Sequence, residues 1–200
     1  MKSTLAILLF CIASLPALAQ TRLLVGQPQI VSEFEQERAA DHSGRSNSIT
    51  LYPGIRWQEG WINQAEFMLT REREAESDGT HTYANDFGFR LRKNVHFTED
   101  FGGFVRGLIG RKSQSDSAYS YAYMEAALTY DTEPVQWYAG FRFIRAIDGS
   151  SGHDVNRLRL GPGWDINEHH EVEMRWARGW DAVTKAHLSD SVEIEYTYKF

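Results

Sequence analysis

The chain has 200 residues with 21 Lys and Arg against 27 Asp and Glu, a formal charge of -6. An acidic balance with no basic run excludes nucleic acid as the expected partner. The only cysteine, Cys11, precludes a disulfide framework, and no metal or other cofactor is expected.

Residues 1–19 read as a secretory signal peptide: Lys2, the apolar run Leu5 to Ile12, then Pro16-Ala17-Leu18-Ala19 with small residues at the cleavage positions. Its core is shorter than the roughly 20 residues of a spanning helix. Cleavage after Ala19 would remove Cys11 and Lys2, the segment's sole charge, taking the formal charge from -6 to -7. Phe10 before Cys11 does not make a lipoprotein site. The remainder, 20–200, has low mean hydropathy beside many aromatics and no linker, so it reads as one domain.

Ten segments of that domain alternate apolar and polar residues, the period of a strand with two unlike faces. The first, Gln29 to Arg38, sets Ile30 and Phe34 against Glu33, Glu35 and Glu37. After Ala39 to Ser46, Ile49, Leu51, Ile55 and Trp57 oppose Thr50, Tyr52, Gly54 and Arg56, with Pro53 expected to weaken pairing. A turn at Glu59-Gly60 leads to Trp61, Ala65, Phe67 and Leu69 against Gln64, Glu66, Met68 and Thr70. The loop Glu76 to Thr82 precedes Phe87, Phe89 and Leu91 against Asp86, Arg90 and Arg92, and Thr98-Glu99-Asp100 turns the chain.

The fifth segment, Phe101 to Arg111, is undecided. Val105 and Ile109 share one face, Phe104, Leu108 and Arg106 the other, and its glycines predict a bulge or a close approach. In the sixth, Ala118 to Tyr130, Met124, Ala126, Leu128 and Tyr130 oppose Tyr121, Tyr123 and Glu125. Past Asp131 to Pro134, Val135, Trp137, Ala139, Phe141 and Phe143 oppose Gln136, Tyr138, Gly140 and Arg142. After Asp148 to Asp154 come Leu158, Leu160 and Trp164 against Arg157 and Arg159, then Val172, Met174 and Trp176 against Glu171, Glu173 and Arg175. Beyond Ala182 to Leu188, Asp190 to Phe200 sets Val192, Ile194, Tyr196, Tyr198 and Phe200 against Glu193, Glu195, Thr197 and Lys199.

An apolar outer face, a polar inner one and an even strand number describe an all-β, antiparallel up-and-down transmembrane barrel, 20–200, in a bacterial outer membrane with both termini periplasmic. Trp57, Trp61, Phe97, Phe101, Tyr130, Trp137, Trp164 and Phe200 then fall beside the periplasmic connections as an interfacial girdle. The aromatic tail resembles the assembly signal of outer-membrane proteins, which implies the barrel assembly machinery and outer-membrane lipid as partners of a monomer.

Inward positions collect Arg56, Arg90, Arg92, Arg106, Arg142, Arg157, Arg159 and Arg175, while the closing seam collects Glu33, Glu35, Glu37, Glu193 and Glu195. Two readings follow. In a water-filled lumen, guanidinium forks could hold sugar carboxylates while Tyr121, Tyr123 and Tyr138 stack. In a narrow lumen the same charges pair and plug it. A barrel of eight strands is filled by side chains and porins of sixteen are open, so ten decides neither.

The stretch Ile55 to Thr70, "IRWQEGWINQAEFMLT", with "FGFRLRKNV", "ALTYDTEPVQWYAGFRFIRA" and "DVNRLRL" in the segments that follow, resembles the oligogalacturonate-specific porin family. The resemblance implies a small monomeric barrel taking up acidic oligosaccharides through an arginine-lined pore. It matches Arg90, Arg92, Arg142, Arg157 and Arg159 to the family's pore-lining tracks. Together with Arg106 and Arg175 these are the candidate substrate-binding residues. The family's barrels have twelve strands, so the ten counted here depart from it, and twelve is the alternative.

The rival reading is a non-conducting structural or adhesive barrel with short loops and a plugged lumen. A third, a lipid-modifying enzyme, rests on His153 with Asp154 and Ser151 in a Gly-Ser loop. His169-His170-Glu171 imitates a metal cluster, but at a turn, where adjacent residues point apart. No catalytic or metal residue is therefore expected.

Overall fold

The computed structural model describes residues 26–200 except 42, 59, 77, 115, 116, 151 and 152. The expected signal peptide with Cys11, the expected turn residue Glu59 and the candidate Ser151 lie outside the described residues.

Ten antiparallel strands form a closed barrel. In chain order they are β1 (Gln27–Ala39), β2 (Gly44–Arg56), β3 (Gln64–Glu76), β4 (His81–His96), β5 (Phe101–Gln114), β6 (Ala118–Thr132), β7 (Val135–Ala146), β8 (Val155–Asn167), β9 (His170–Asp181) and β10 (His187–Lys199). Each strand pairs with its sequence neighbours, and β1 closes on β10 from Gln29↔Lys199 to Ala39↔Ser189 without a break. Closure leaves no strand edge, which a bilayer, offering no hydrogen bonds, would not tolerate.

The faces sort as the alternation predicts. Ile49, Phe67, Phe87, Ile109, Met124 and Ile194 are exposed on the outer wall, while Arg90, Arg106, Arg159 and Arg175 are almost wholly buried inside. A wall apolar outward and charged inward inverts a water-soluble protein; its solvent is lipid. At about 3.3 Å per residue and a tilt near 40°, a 13-residue strand rises roughly 33 Å, enough to cross the hydrocarbon layer. The chain is a membrane-spanning β-barrel.

The girdle is continuous at the end bearing both termini. Phe101 pairs with Tyr130 and Tyr130 with Trp137 across β5, β6 and β7. Phe97 and Phe101 rings lie 5.3 Å apart, Tyr198 and Phe200 rings 4.8 Å. We call this the terminal side and the other the loop side. The loop-side connections are short, the longest being 147–154.

Two expectations resolve. Pro53 stays in register with β1 (Ile30↔Pro53), but β2 and β3 do not pair at Tyr52 and Pro53, the lapse expected where an N–H is missing. Strand β5 carries no bulge; it is in unbroken register with β4 and β6. Its glycines serve close approach instead: a Cβ on Gly110 would come 2.9 Å from the ring of Tyr121, its cross-strand partner. Phe104 and Leu108 share the parity of Arg106, face inward and are buried.

Candidate functional site

Inward residues two apart on each strand stack as layers down the lumen. The middle layers hold five buried arginines, Arg90, Arg106, Arg142, Arg159 and Arg175, and five buried glutamates, Glu33, Glu66, Glu125, Glu193 and Glu195. The balance is neutral, and the contacts span strands. Arg159 on β8 donates to Glu193 on β10 (Nε to Oε2, 2.9 Å), Glu125 on β6 (Nη1 to Oε1, 2.9 Å) and Glu33 on β1 (3.5 Å). Glu125 also accepts from Arg106 at 3.0 Å and Arg142 at 2.8 Å, and from the Tyr138 hydroxyl.

Beside this knot Arg90 donates to Glu66 at 2.5 Å and stacks 3.7 Å over the Tyr52 ring. Gln29 and Gln64 donate to the other oxygen of Glu66. Arg175 bridges Glu195 at 3.0 Å and reaches Glu173. Apolar side chains fill what the ion pairs leave: Val31, Tyr52, Met68, Leu108, Tyr121 and Tyr123 form one cluster, Phe104, Ala127 and Tyr138 another. Burying this much charge is tolerable only because each group finds an opposite partner.

Toward the loop side the lumen opens. A cavity of about 640 Å³ is lined by seven carboxylates, Glu33, Glu35, Glu37, Glu72, Glu74, Glu76 and Asp86, and by three inward cationic side chains, Lys112, Arg142 and Arg157, with Arg45 of the outward parity at its rim. Space exists there because β2 and β3 turn small side chains inward: Ser46, Ser48, Thr50 and Thr70. Arg157 at the floor holds Glu35 at 2.6 Å and Glu37 at 2.9 Å. Lys112 holds Glu72 at 2.5 Å, and Tyr121 donates to Asp86 at 2.5 Å.

All seven candidate arginines therefore face the lumen, at three depths. Arg90, Arg106, Arg142, Arg159 and Arg175 belong to the plug, and Arg157 to the vestibule floor. Arg92 lies toward the terminal side, 3.8 Å over the Phe104 ring and bonded to Asn94, with no ion-pair partner among the described residues. Near it Arg56 and Lys199 share Glu171. Charge inventory alone missed Glu66 and Glu125, the anions that organise the plug. Both stood at inward positions of the alternation, the signal that could have found them.

The other candidates disperse. His153 stacks on Tyr119 with ring centres 3.9 Å apart, while Asp154 accepts from the Ala146 amide and faces Arg145. The His170 ring meets the Tyr196 hydroxyl at 2.6 Å in the outer aromatic girdle, and His169 faces the Lys199 carbonyl. No group of three metal-ligating side chains occurs among the described residues.

No protein-family model matches the chain, and no curated protein matches it. Among solved structures it is similar to an outer-membrane channel from Pseudomonas putida F1, with 10% identity over 88% of this chain and 96% of that one and a TM-score of 0.57. The KdgM porin (8% identity, 85% and 99% covered, TM-score 0.44) and the beta domain of the Bordetella autotransporter BrkA (12%, 88% and 100%, 0.47) are more distant barrels. The likeness to the Pseudomonas channel is one of fold: this chain is a small outer-membrane barrel with porin-like architecture.

Proposed function

We propose that the protein is a non-enzymatic, monomeric outer-membrane barrel whose lumen is closed at mid-depth by the arginine and glutamate plug. It presents a water-filled acidic vestibule to the loop side and serves the membrane as a structural barrel rather than a standing pore. The observation that carries this reading is Arg159, with no exposed side-chain surface and carboxylates from three other strands on its guanidinium. Short loops support it. So does the vestibule, where seven carboxylates outnumber three inward cationic groups and would repel an acidic sugar entering from that side.

One observation favours the second reading, a channel for small anionic solutes such as oligogalacturonates. Arg92 holds no carboxylate and continues the plug's arginines toward the terminal side, so a parted plug would leave guanidinium forks for sugar carboxylates. Purified, heat-modifiable barrel in a planar bilayer tests both. The plugged barrel is expected to stay electrically silent. Anion-preferring steps, blocked by carboxylated oligosaccharides at lower concentrations than by neutral ones, would replace the first reading with the second.

A further inference from the structure

The outer wall carries an unexpected feature near the loop side, outside the lumen. Across four strands one row of the pairing register runs Arg45, Arg38, Asp190, Arg178. All four are on the outward parity, and three cations face one anion. The anion is taken: Asp190 accepts from Arg178 Nε at 2.7 Å and lies 3.3 Å from His187. Arg38 and Arg45, directly opposite one another and both exposed, form no ion pair among the described residues. Like charges directly opposite across a ladder destabilise it.

The adjacent row, one layer nearer the membrane centre, is Asn47, Gln36, Val192, Trp176. Between the rows the wall is concave, a notch of about 330 Å³ lined by Gln36, Arg38, Arg45, Trp176, Asp190 and Val192, with Glu37 and Ser191 of the inward parity also bordering it. Two guanidinium groups therefore stand at the polar rim of a groove whose floor runs from the hydrogen-bonded Gln36 and Asn47 beneath them to the apolar, lipid-facing Val192 and Trp176. Further outward arginines, Arg71, Arg73 and Arg111, lie at the same end of β3 and β5.

We propose that this notch binds a phosphorylated glycolipid of the outer leaflet, its phosphate clasped between Arg38 and Arg45 and an acyl chain laid along Val192 and Trp176. The chemistry fits on both counts. Guanidinium forks take phosphate oxygens bidentately, and a phosphate between the two arginines removes their mutual repulsion. Basic groups at the edge of an apolar belt are where anionic headgroups sit. The site is independent of whether the lumen conducts.

Native mass spectrometry of the detergent-purified barrel, titrated with diphosphorylated lipid A, its dephosphorylated form and phosphatidylglycerol, tests it. One diphosphorylated lipid A should be retained at least tenfold more tightly than either control. The double variant Arg38→Gln/Arg45→Gln should lose that preference, while Arg111→Gln keeps it. Arg45→Glu guards against misfolding: it places a carboxylate opposite Arg38, so the lipid-free barrel should resist heat at least as well as wild type yet bind no lipid A. Equal retention of all three lipids, or undiminished lipid A binding by the double variant, would overturn the proposal.

Discussion

The plug and the vestibule are built from the same strands, the same inward parity and the same two residue types, yet one is dry and the other open. At the plug Arg and Glu balance five to five, and large side chains, Tyr52, Met68, Phe104, Leu108 and Tyr138, close the gaps. One to three layers toward the loops, β2 and β3 present Ser46, Ser48, Thr50 and Thr70, carboxylates outnumber cations, and the lumen widens into a cavity. Ten strands thus set a bore that side-chain volume can either close or leave open. Charge follows from that choice: where water is excluded each ion needs a partner, and where it is admitted an excess is tolerated.

The comparison breaks most easily at Glu125. Its carboxylate faces Arg106, Arg142 and Arg159, so Glu125→Gln leaves three buried guanidinium groups with one anion fewer. Removing one partner of a buried network costs about 3–5 kcal/mol. Urea unfolding of the micelle-bound barrel should show that loss; a cost below about 1 kcal/mol would mean that water reaches the mid-lumen and that plug and vestibule are one continuous channel.

Arg157 should give a smaller effect, because it stands where the two regions meet. It holds Glu35 and Glu37 with 11% of its side chain exposed, and both glutamates border the vestibule. Arg157→Gln removes charged hydrogen bonds, each worth about 1.5–3 kcal/mol when dry, but water from the cavity rehydrates the two carboxylates. A loss of about 1 kcal/mol in the same unfolding assay is expected. A loss as large as that of Glu125→Gln would move the boundary of the plug outward.

Alternation made the faces legible residue by residue. Glu33, Glu35 and Glu37 against Ile30 and Phe34, or Arg157 and Arg159 against Leu158 and Leu160, could point only one way in a lipid-embedded sheet, and the aromatic girdle fixed the terminal side. Filling was less legible, because period two reports which wall a side chain leaves and not what it meets across the bore. Arg159 reaches Glu33 from 126 positions away. Segment β5 hid a further part of the plug: its apolar residues lie on both parities, so alternation left its faces undecided, and it is Phe104 and Leu108 that turn inward with Arg106. The carboxylate excess of the vestibule escaped for a similar reason, since Glu72, Glu74 and Asp86 come from strands that the arginine inventory had not joined to the seam.

The smallest expected effect concerns the vestibule's rim, and it separates rim from plug by pH. Past β7, Asp148 accepts from Ser150 Oγ at 2.7 Å, from the Ser150 amide at 3.2 Å and from the Ser120 amide at 2.5 Å, tying residues 148–150 to β6 on the side of the cavity that His153 lines. The Ser150 hydroxyl first, then the Ser120 amide, hold its carboxyl down from 3.8 to about 2. A carboxylate with a depressed folded value stabilises the loop above its ordinary value, and that contribution is lost as pH falls from about 4 through about 2. Amide proton shifts of Ser120 and Ser150 in micelle-bound barrel should therefore titrate together with a midpoint near 2, and Asp148→Asn should abolish the titration. Because Asp148 is solvent-exposed and remote from the ion-pair knot, the barrel's thermal midpoint should not change in that variant. If it fell, the loop would be coupled to the plug, and the division between a packed mid-lumen and an independently ordered rim would have to be abandoned.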